Sequence, residues 1–292
     1  MSACNLCPRQ CGVDRASSHG FCGAGEAPVV ARAALHFFEE PCISGERGSG
    51  AVFFSGCNLR CVFCQNHTIS RAQTGKTVSP ERLREIYFEL ISQGAHNINL
   101  VTPSHYARAV ARSLEGGLPV PVVWNCGGYE SVETLRMLEG KVQIYLPDFK
   151  YTNSLLAKKY SAAPDYPKLA EAALLEMYRQ TGNWEADDDG ILQKGVLIRH
   201  LVLPGNLPNT FGVIDRVRAL FPETGQVLFS LMSQYTPVCA PKKYPELCRA
   251  LTAEEYELAE QYLFDSGIED GFVQDRASAD ERYIPAFDGT GV

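Results

Sequence analysis

Six short apolar runs, each trailed by a helical stretch or a loop, constrain the fold of this 292-residue chain more than any other feature. They are Ala51–Ser55 (AVFFS), Ile98–Thr102 (INLVT), Val120–Trp124 (VPVVW), Val142–Leu146 (VQIYL), Gly195–Leu203 (GVLIRHLVL) and Val227–Met232 (VLFSLM). Apolar runs without alternation suit strands covered on both faces, as in parallel sheets. Helical stretches lie near 104–115, 131–139, 154–180, 209–220 and 253–266, the third interrupted around Pro164 and Pro167. A further helix opens at Ser79-Pro80: Ser is a good N-cap, Pro suits the first turn, and Leu83, Ile86, Tyr87 and Leu90 form one stripe that ends at Gly94. The pattern predicts an α/β fold, a (β/α)6 partial TIM barrel of parallel strands; a closed eight-stranded barrel needs two more units. Asp187-Asp188-Asp189-Gly190 predicts a turn in a hairpin-like excursion before the fifth strand.

Composition narrows the class. With 45% hydrophobic and 21% charged residues the chain is an ordinary globular one. Lys and Arg number 27 against 34 Asp and Glu, so the net charge of −7 lacks the basic footprint of a nucleic-acid binder. No run of about 18 apolar residues exists, so no membrane span is expected. Met1–Pro8 holds two cysteines and no apolar core, unlike a signal peptide, and a cytoplasmic location is expected.

Eleven cysteines, at 4, 7, 11, 22, 42, 57, 61, 64, 126, 239 and 248, are the anomaly. An odd count and tight clustering argue for metal binding and against a disulfide framework. Cys57-x3-Cys61-x2-Cys64 follows the first apolar run directly. Three soft thiolates select iron–sulfur or zinc, and as ligands of a [4Fe–4S] cluster they leave one iron open. A structural zinc loop with a fourth ligand from elsewhere is the other reading. Cys4-x2-Cys7-x3-Cys11-x10-Cys22 supplies four thiolates, enough to close a second site that is either zinc or an auxiliary iron–sulfur cluster. Pro8 and Arg9 within it are candidates to orient the sulfurs. The chain divides into a cysteine-rich metal module (1–28), the barrel (29–274) and an extended tail (275–292), with Tyr283-Ile284-Pro285-Ala286-Phe287-Asp288 placed to dock over the barrel. Glu39-Glu40-Pro41 reads as a connector. Cys42, Cys126, Cys239 and Cys248 read as free thiols, with Cys126 set apart by its place beside Asn125.

The Cys57–Cys64 loop, with Phe63 before its last cysteine, resembles the signature of radical S-adenosylmethionine enzymes. Within them, SGCNLRCVFCQN followed by RHLVLPG and SQYTP is similar to homologues of the pyruvate formate-lyase activating enzyme, over about residues 50–240. The resemblance implies a [4Fe–4S] cluster on Cys57, Cys61 and Cys64 whose open iron takes S-adenosyl-L-methionine. Reductive cleavage of that cofactor would release a 5′-deoxyadenosyl radical for hydrogen abstraction. It also implies a reduced flavodoxin or ferredoxin-type electron donor and, as one possible substrate, a glycyl radical protein or a peptide. Such a radical has to be shielded from water, which suits a roofed barrel mouth.

Site residues follow from the same resemblance. Phe63 is placed near the adenine. The second strand ends Val101-Thr102-Pro103-Ser104-His105 where the family has a Gly-Gly-Glu motif that holds the cofactor's amino group, so Thr102 or Ser104 is expected to substitute, with His105 as a helix cap. Asn125, with Gly127 and Gly128, resembles the Asn-Gly turn beneath the cofactor. Asp148 and Lys150 match an Asp-x-Lys pattern; two apart on an extended segment, they face one side and are expected to pair at the mouth. Arg199 matches the position that contacts the cofactor carboxylate, for which its fork geometry is suited. Gln234 is expected to reach the ribose or the substrate, and Tyr235 to be a packed phenol. The expected activity is an activating-enzyme-like oxidoreductase. The rivals are radical tailoring of a small molecule or peptide, and a non-catalytic iron–sulfur redox sensor or scaffold.

Overall fold

The computed structural model describes residues 3–237, 242–275 and 285–292; Cys239, Tyr283 and Ile284 lie outside them. Among the described residues ten strands form the sheet: β1 (Val29–His36), β2 (Ser49–Phe54), β3 (Lys76–Thr77), β4 (Ile98–Val101), β5 (Val122–Cys126), β6 (Ile144–Pro147), β7 (Glu185–Ala186), β8 (Leu192–Leu201), β9 (Leu228–Met232) and β10 (Gly271–Val273). Their spatial order is β10-β9-β8-β6-β5-β4-β2-β1-β3, with β7 paired to β8. The six strands read from the sequence, β2, β4, β5, β6, β8 and β9, run parallel as neighbours, with β10 added in parallel beyond β9. The sequence reading missed β1 and β3, which lie antiparallel at one edge, and β10 at the other. The hairpin before the fifth parallel strand is present, with β7 antiparallel to β8 and a turn closed by Asp187 and Ile191.

Helices cover the outer face. The helix Pro80–Ser92 starts as its sequence dictates: the Ser79 hydroxyl accepts from the Arg82 amide, and Leu83, Ile86, Tyr87 and Leu90 are its buried stripe. The long stretch after β6 breaks into Ser154–Ser161 and Tyr166–Thr181, with Ala162 left-handed at φ 50° between them. No helix among the described residues is long and apolar enough to cross a membrane.

Alternation along the strands builds the interior in layers. Trp124, Tyr145, Ile198 and Phe229 point out to the helices and join the main core, whereas Val123, Ile144, Leu197 and Leu228 point inward. Ile43, from the connection between β1 and β2, plugs that inner layer. One step further along the same faces the interior turns polar, with Asn99, Asn125, Arg199 and Ser230, all on parallel strands. A polar belt inside a barrel is costly unless its groups are paired, so it marks where the chemistry sits.

Two buried histidines make stability depend on pH. His200 donates from Nδ1 to the Phe149 carbonyl (2.7 Å) and accepts the Thr210 hydroxyl at Nε2 (3.0 Å). His105 donates from Nε2 to the Ser55 carbonyl (2.8 Å); it lies buried in a 3-10 turn, Ser104–Tyr106, and is not the helix cap expected of it. Burial pushes both imidazoles down to about 4 from 6.5. Between those values the unfolded chain binds more protons than the folded one, so stability falls as pH drops from about 6.5 to about 4. Each histidine is expected to contribute on the order of 3 kcal/mol to that loss. Urea titrations across the window test this; His200→Gln should make the pH dependence shallower, and an unchanged slope would contradict it.

Candidate active site

β2 ends at Phe54, Ser55-Gly56 follow, and the chain turns at Gly56 (φ 87°) into the cysteine loop. A Cβ at Gly56 would stand 2.7 Å from the Cys22 carbonyl oxygen, so only glycine allows this close approach of the amino-terminal segment. Arg60, at φ 54°, supplies the second left-handed kink between the first two cysteines. The sulfurs meet hydrogen-bond donors: Cys57 Sγ accepts from the Leu59 amide (3.3 Å) and Cys61 Sγ from the Ser161 hydroxyl (2.9 Å). Burial pushes Cys57 up and Cys64 up to about 12, and the negative charges of neighbouring cysteines add to both effects. Such thiols stay protonated alone and deprotonate when a metal takes them, as metal binding coupled to proton release requires.

Cys57, Cys61 and Cys64 face one cavity of about 220 Å³ at the carboxyl ends of the parallel strands. Phe63, Thr102, Asn125, Asp148, Lys150, Arg199 and Gln234 line it too, so the structure brings together all but one of the barrel residues predicted for the site. Ser104 stands apart. Thr102, at φ 59°, turns the chain off the strand, and the buried Ser104 hydroxyl donates instead to Glu130 Oε1 (2.5 Å). Phe63 packs edge-on to Tyr160. Tyr235 is a packed phenol, as expected, and donates to the Leu247 carbonyl.

The polar belt forms one charge network. Arg199 donates from Nε to Asp148 Oδ1 (3.0 Å), from Nη1 to Glu39 Oε2 (2.8 Å) and from Nη2 to Asn125 Oδ1 (2.7 Å). Lys150 Nζ lies 2.6 Å from Asp148 Oδ2, the pair expected from their spacing. Burial works against the charge on Asp148, but Lys150 and Arg199 hold its carboxyl below the ordinary value. Burial likewise opposes the Lys150 cation, and Asp148 and then Cys61 raise its pKa above the ordinary value. Arg199 was expected to meet a cofactor carboxylate; here protein oxygens engage it on three sides, so such a contact requires Glu39, Asp148 or Asn125 to yield. Gly127 and Gly128 pack the turn after Asn125 against Leu59 and Asp148, where a Cβ would meet their atoms at 2.8 and 2.2 Å.

Glu39 is a site residue the sequence reading missed. It enters from the segment after β1, pairs with Arg199, and accepts from Asn125 (3.0 Å) and Asn99 (3.3 Å). The available signal was an acidic pair ahead of Pro41, in a segment read as a connector. Glu40 beside it is buried, accepts from Ser230 (2.8 Å) and has its pKa raised by burial. Glu130, the partner of Ser104 outside the cavity lining, is buried and pushed up to about 7 by desolvation. Cys126, beside Asn125, is buried in the core with Trp124 and also lines the same cavity as Cys57, Cys61 and Cys64; burial and then Glu130 raise its pKa.

In the amino-terminal segment Cys4, Cys7 and Cys22 are buried and Cys11 is exposed. Burial pushes the Cys22 thiol up and Cys7 up to about 12, and neighbouring charges, Glu130 beside Cys7 and the other cysteines beside both, add to the effect. Among the described residues no three His, Cys, Asp or Glu side chains converge tightly enough to hold a single metal ion. Three soft thiol donors on one cavity suit a cluster, one ligand to each of three irons, so the chemistry of the donor set at Cys57, Cys61 and Cys64 fits it. Arg9 does not orient sulfurs directly: it donates to the main-chain oxygens of Asn58 (2.8 Å), Ala162 (2.5 Å) and Ser161 (2.9 Å).

Comparison with known proteins adds three findings. A family model described as a 4Fe-4S single cluster domain matches residues 43–136. The uncharacterized protein MJ0674 of Methanocaldococcus jannaschii is 30% identical over 277 residues, covering 90% of this chain and 75% of that one. Streptococcus suis SuiB has a similar fold, solved bound to S-adenosylmethionine (TM-score 0.51) and bound to the precursor peptide SuiA (TM-score 0.52). Identity is 13% in both cases, and the match covers 75% of this chain. The chain spans about half the length of SuiB, 48% and 46% in the two structures.

Proposed function

The chain belongs to the radical S-adenosylmethionine enzymes, in one family with MJ0674, and from that premise we propose that it cleaves S-adenosylmethionine reductively and abstracts hydrogen from a protein or peptide segment. The observation that carries this is the convergence of Cys57, Cys61 and Cys64 with the Arg199–Asp148–Lys150–Glu39 network on one cavity. When bound there, a reduced [4Fe–4S] cluster supplies the electron that splits a carbon–sulfur bond of the cofactor and yields a 5′-deoxyadenosyl radical. The chain's own part is positioning and shielding. Cys57, Cys61 and Cys64 would hold the cluster with three thiolates, a donor set that would leave one iron for the cofactor. Arg199 and Lys150 would offer cations to the carboxylate of its methionine end, and Glu39 and Asp148 acceptors to the ammonium, once part of the Arg199–Glu39–Asp148 pairing yields to the cofactor. Phe63 and Leu59 wall the cavity against water.

The rim supports a macromolecular substrate. Phe37 and Phe38 are 49% and 58% exposed, and His36, Phe38 and Pro285 border the cavity. Exposed aromatics beside a reactive mouth suit a docked chain segment. The SuiB fold accommodates a precursor peptide, and the resemblance to activating enzymes favours a glycine of a large partner protein as the target. Electrons would come from a reduced flavodoxin or ferredoxin-type donor, and the four amino-terminal cysteines would hold a second centre. Metal and sulfide analysis of a Cys57→Ala/Cys61→Ala/Cys64→Ala protein separates zinc from an auxiliary cluster there. The substrate reading is tested by 5′-deoxyadenosine yield with size-fractionated extract of the source cells. Stimulation by the macromolecular fraction is expected; stimulation confined to the small-molecule fraction would overturn it.

A further inference from the structure

The sulfur of Cys61 receives a hydrogen bond from far outside its own loop. Ser161 ends the helix Ser154–Ser161, and its buried hydroxyl lies 2.9 Å from Cys61 Sγ. Behind it the Tyr151 hydroxyl, fully buried, stands 2.8 Å from Ser161 Oγ. Sulfur here has no proton to give once it is a ligand, so the chain of donors has one direction. Tyr151 donates to Ser161 and Ser161 donates to Cys61, a series in which each bond polarises the next.

The helix end that carries Ser161 is fixed on the cysteine loop. The Val62 amide donates to the Tyr160 carbonyl (2.9 Å). Arg9 ties the two together by donating at once to the loop carbonyl of Asn58 and to those of Ser161 and Ala162. Its guanidinium is held over Phe21 (3.9 Å) and Tyr129 (5.1 Å), so it is braced from both the amino-terminal segment and the barrel.

We propose that Ser161, backed by Tyr151 and held in register by Arg9, is a positioning residue that raises the reduction potential of the cluster bound at Cys57, Cys61 and Cys64. This rests on the function proposed above. Adding one electron from the low-potential donor makes the cluster and its thiolates more negative, which strengthens a hydrogen bond to sulfur and so stabilises the reduced state. No bond to hydrogen breaks; the proton stays on Ser161 Oγ throughout.

The test is a potentiometric titration of the reconstituted full-length protein followed by electron paramagnetic resonance. Ser161→Ala is expected to lower the reduced-to-oxidised ratio at a fixed potential about tenfold, a shift of about 59 mV to more negative values for a one-electron couple. Tyr151→Phe, which keeps Ser161, should shift it in the same direction by less, and Ser161→Thr should restore the parent value. Ser113→Ala serves as control, because Ser113 is a buried serine paired with a tyrosine hydroxyl (Tyr87, 3.1 Å) without a cysteine partner; it should leave the midpoint alone. A Ser161→Ala protein with a full cluster and the parent's midpoint would overturn the inference while leaving the function standing. If Ser161→Ala takes up no cluster, Tyr151→Phe decides: a negative shift supports the role, an unchanged midpoint overturns it. A parent protein that takes up no cluster at these cysteines would overturn the function and this inference together.

Discussion

Cys61→Ala protein, reconstituted with iron and sulfide in the absence of oxygen, is expected to lose the barrel cluster almost completely. Cys57, Cys61 and Cys64 share one loop on the cavity, whose lining also includes the buried Cys126 from β5, and a cluster held by two of the three loop thiolates loses a third of its protein bonds. Metal–thiolate binding is strong enough to be folding free energy in small domains, so removing one ligand has a large effect on occupancy. The same change also removes the acceptor of the Ser161 hydroxyl, leaving that buried donor with only Tyr151. The measurement is iron and sulfide per chain, with the four amino-terminal cysteines replaced so that only the barrel site is counted. Cys248→Ala, a change at an exposed cysteine outside the cavity, should keep the parent's content. Equal content in Cys61→Ala would contradict the ligand assignment.

Arg199→Met should be the most damaging change to the fold among the cavity residues. Arg199 is the hub that neutralises Glu39 and Asp148, with the buried carboxyl of Glu40 near enough to feel it. Removing one partner of a buried ion pair costs about 3–5 kcal/mol, because the remaining charges stay in a poorly solvated place. Arg199→Lys should recover only part, since an ammonium cannot reach three oxygens in a fixed fork. Combining Arg199→Met with Glu39→Gln should cost less than the sum of the two, because the second change removes a charge the first left unpaired. Urea denaturation of the four proteins checks this; additive losses would contradict a shared network.

How legible this was in the sequence depends on how local each cause is. The six parallel strands were readable because unbroken apolar runs follow from burial on both faces. The Asp148–Lys150 pair was readable because two residues apart on an extended chain share a side. β1 escaped because VVARAALH has mixed burial and no apolar run, and Glu39, which its end delivers, escaped with it. The partners of Arg199 lie 51, 74 and 160 positions away, so its saturation by protein oxygens depends wholly on tertiary packing. Ser104 was misplaced for a local reason of another kind: the left-handed backbone of Thr102 turns the chain away from the cavity at the position where a strand would have carried it in. Ser161 bears on Cys61 across 100 positions, and no spacing rule reaches that far.

The most direct measurement is 5′-deoxyadenosine formed by the anaerobically reconstituted protein after reduction in the presence of S-adenosylmethionine, beside a Cys57→Ala protein treated identically. Product from the parent and none from the variant is the expected result. Cofactor left intact by a parent protein that carries its full complement of iron and sulfide would contradict reductive cleavage and leave a cluster without this chemistry.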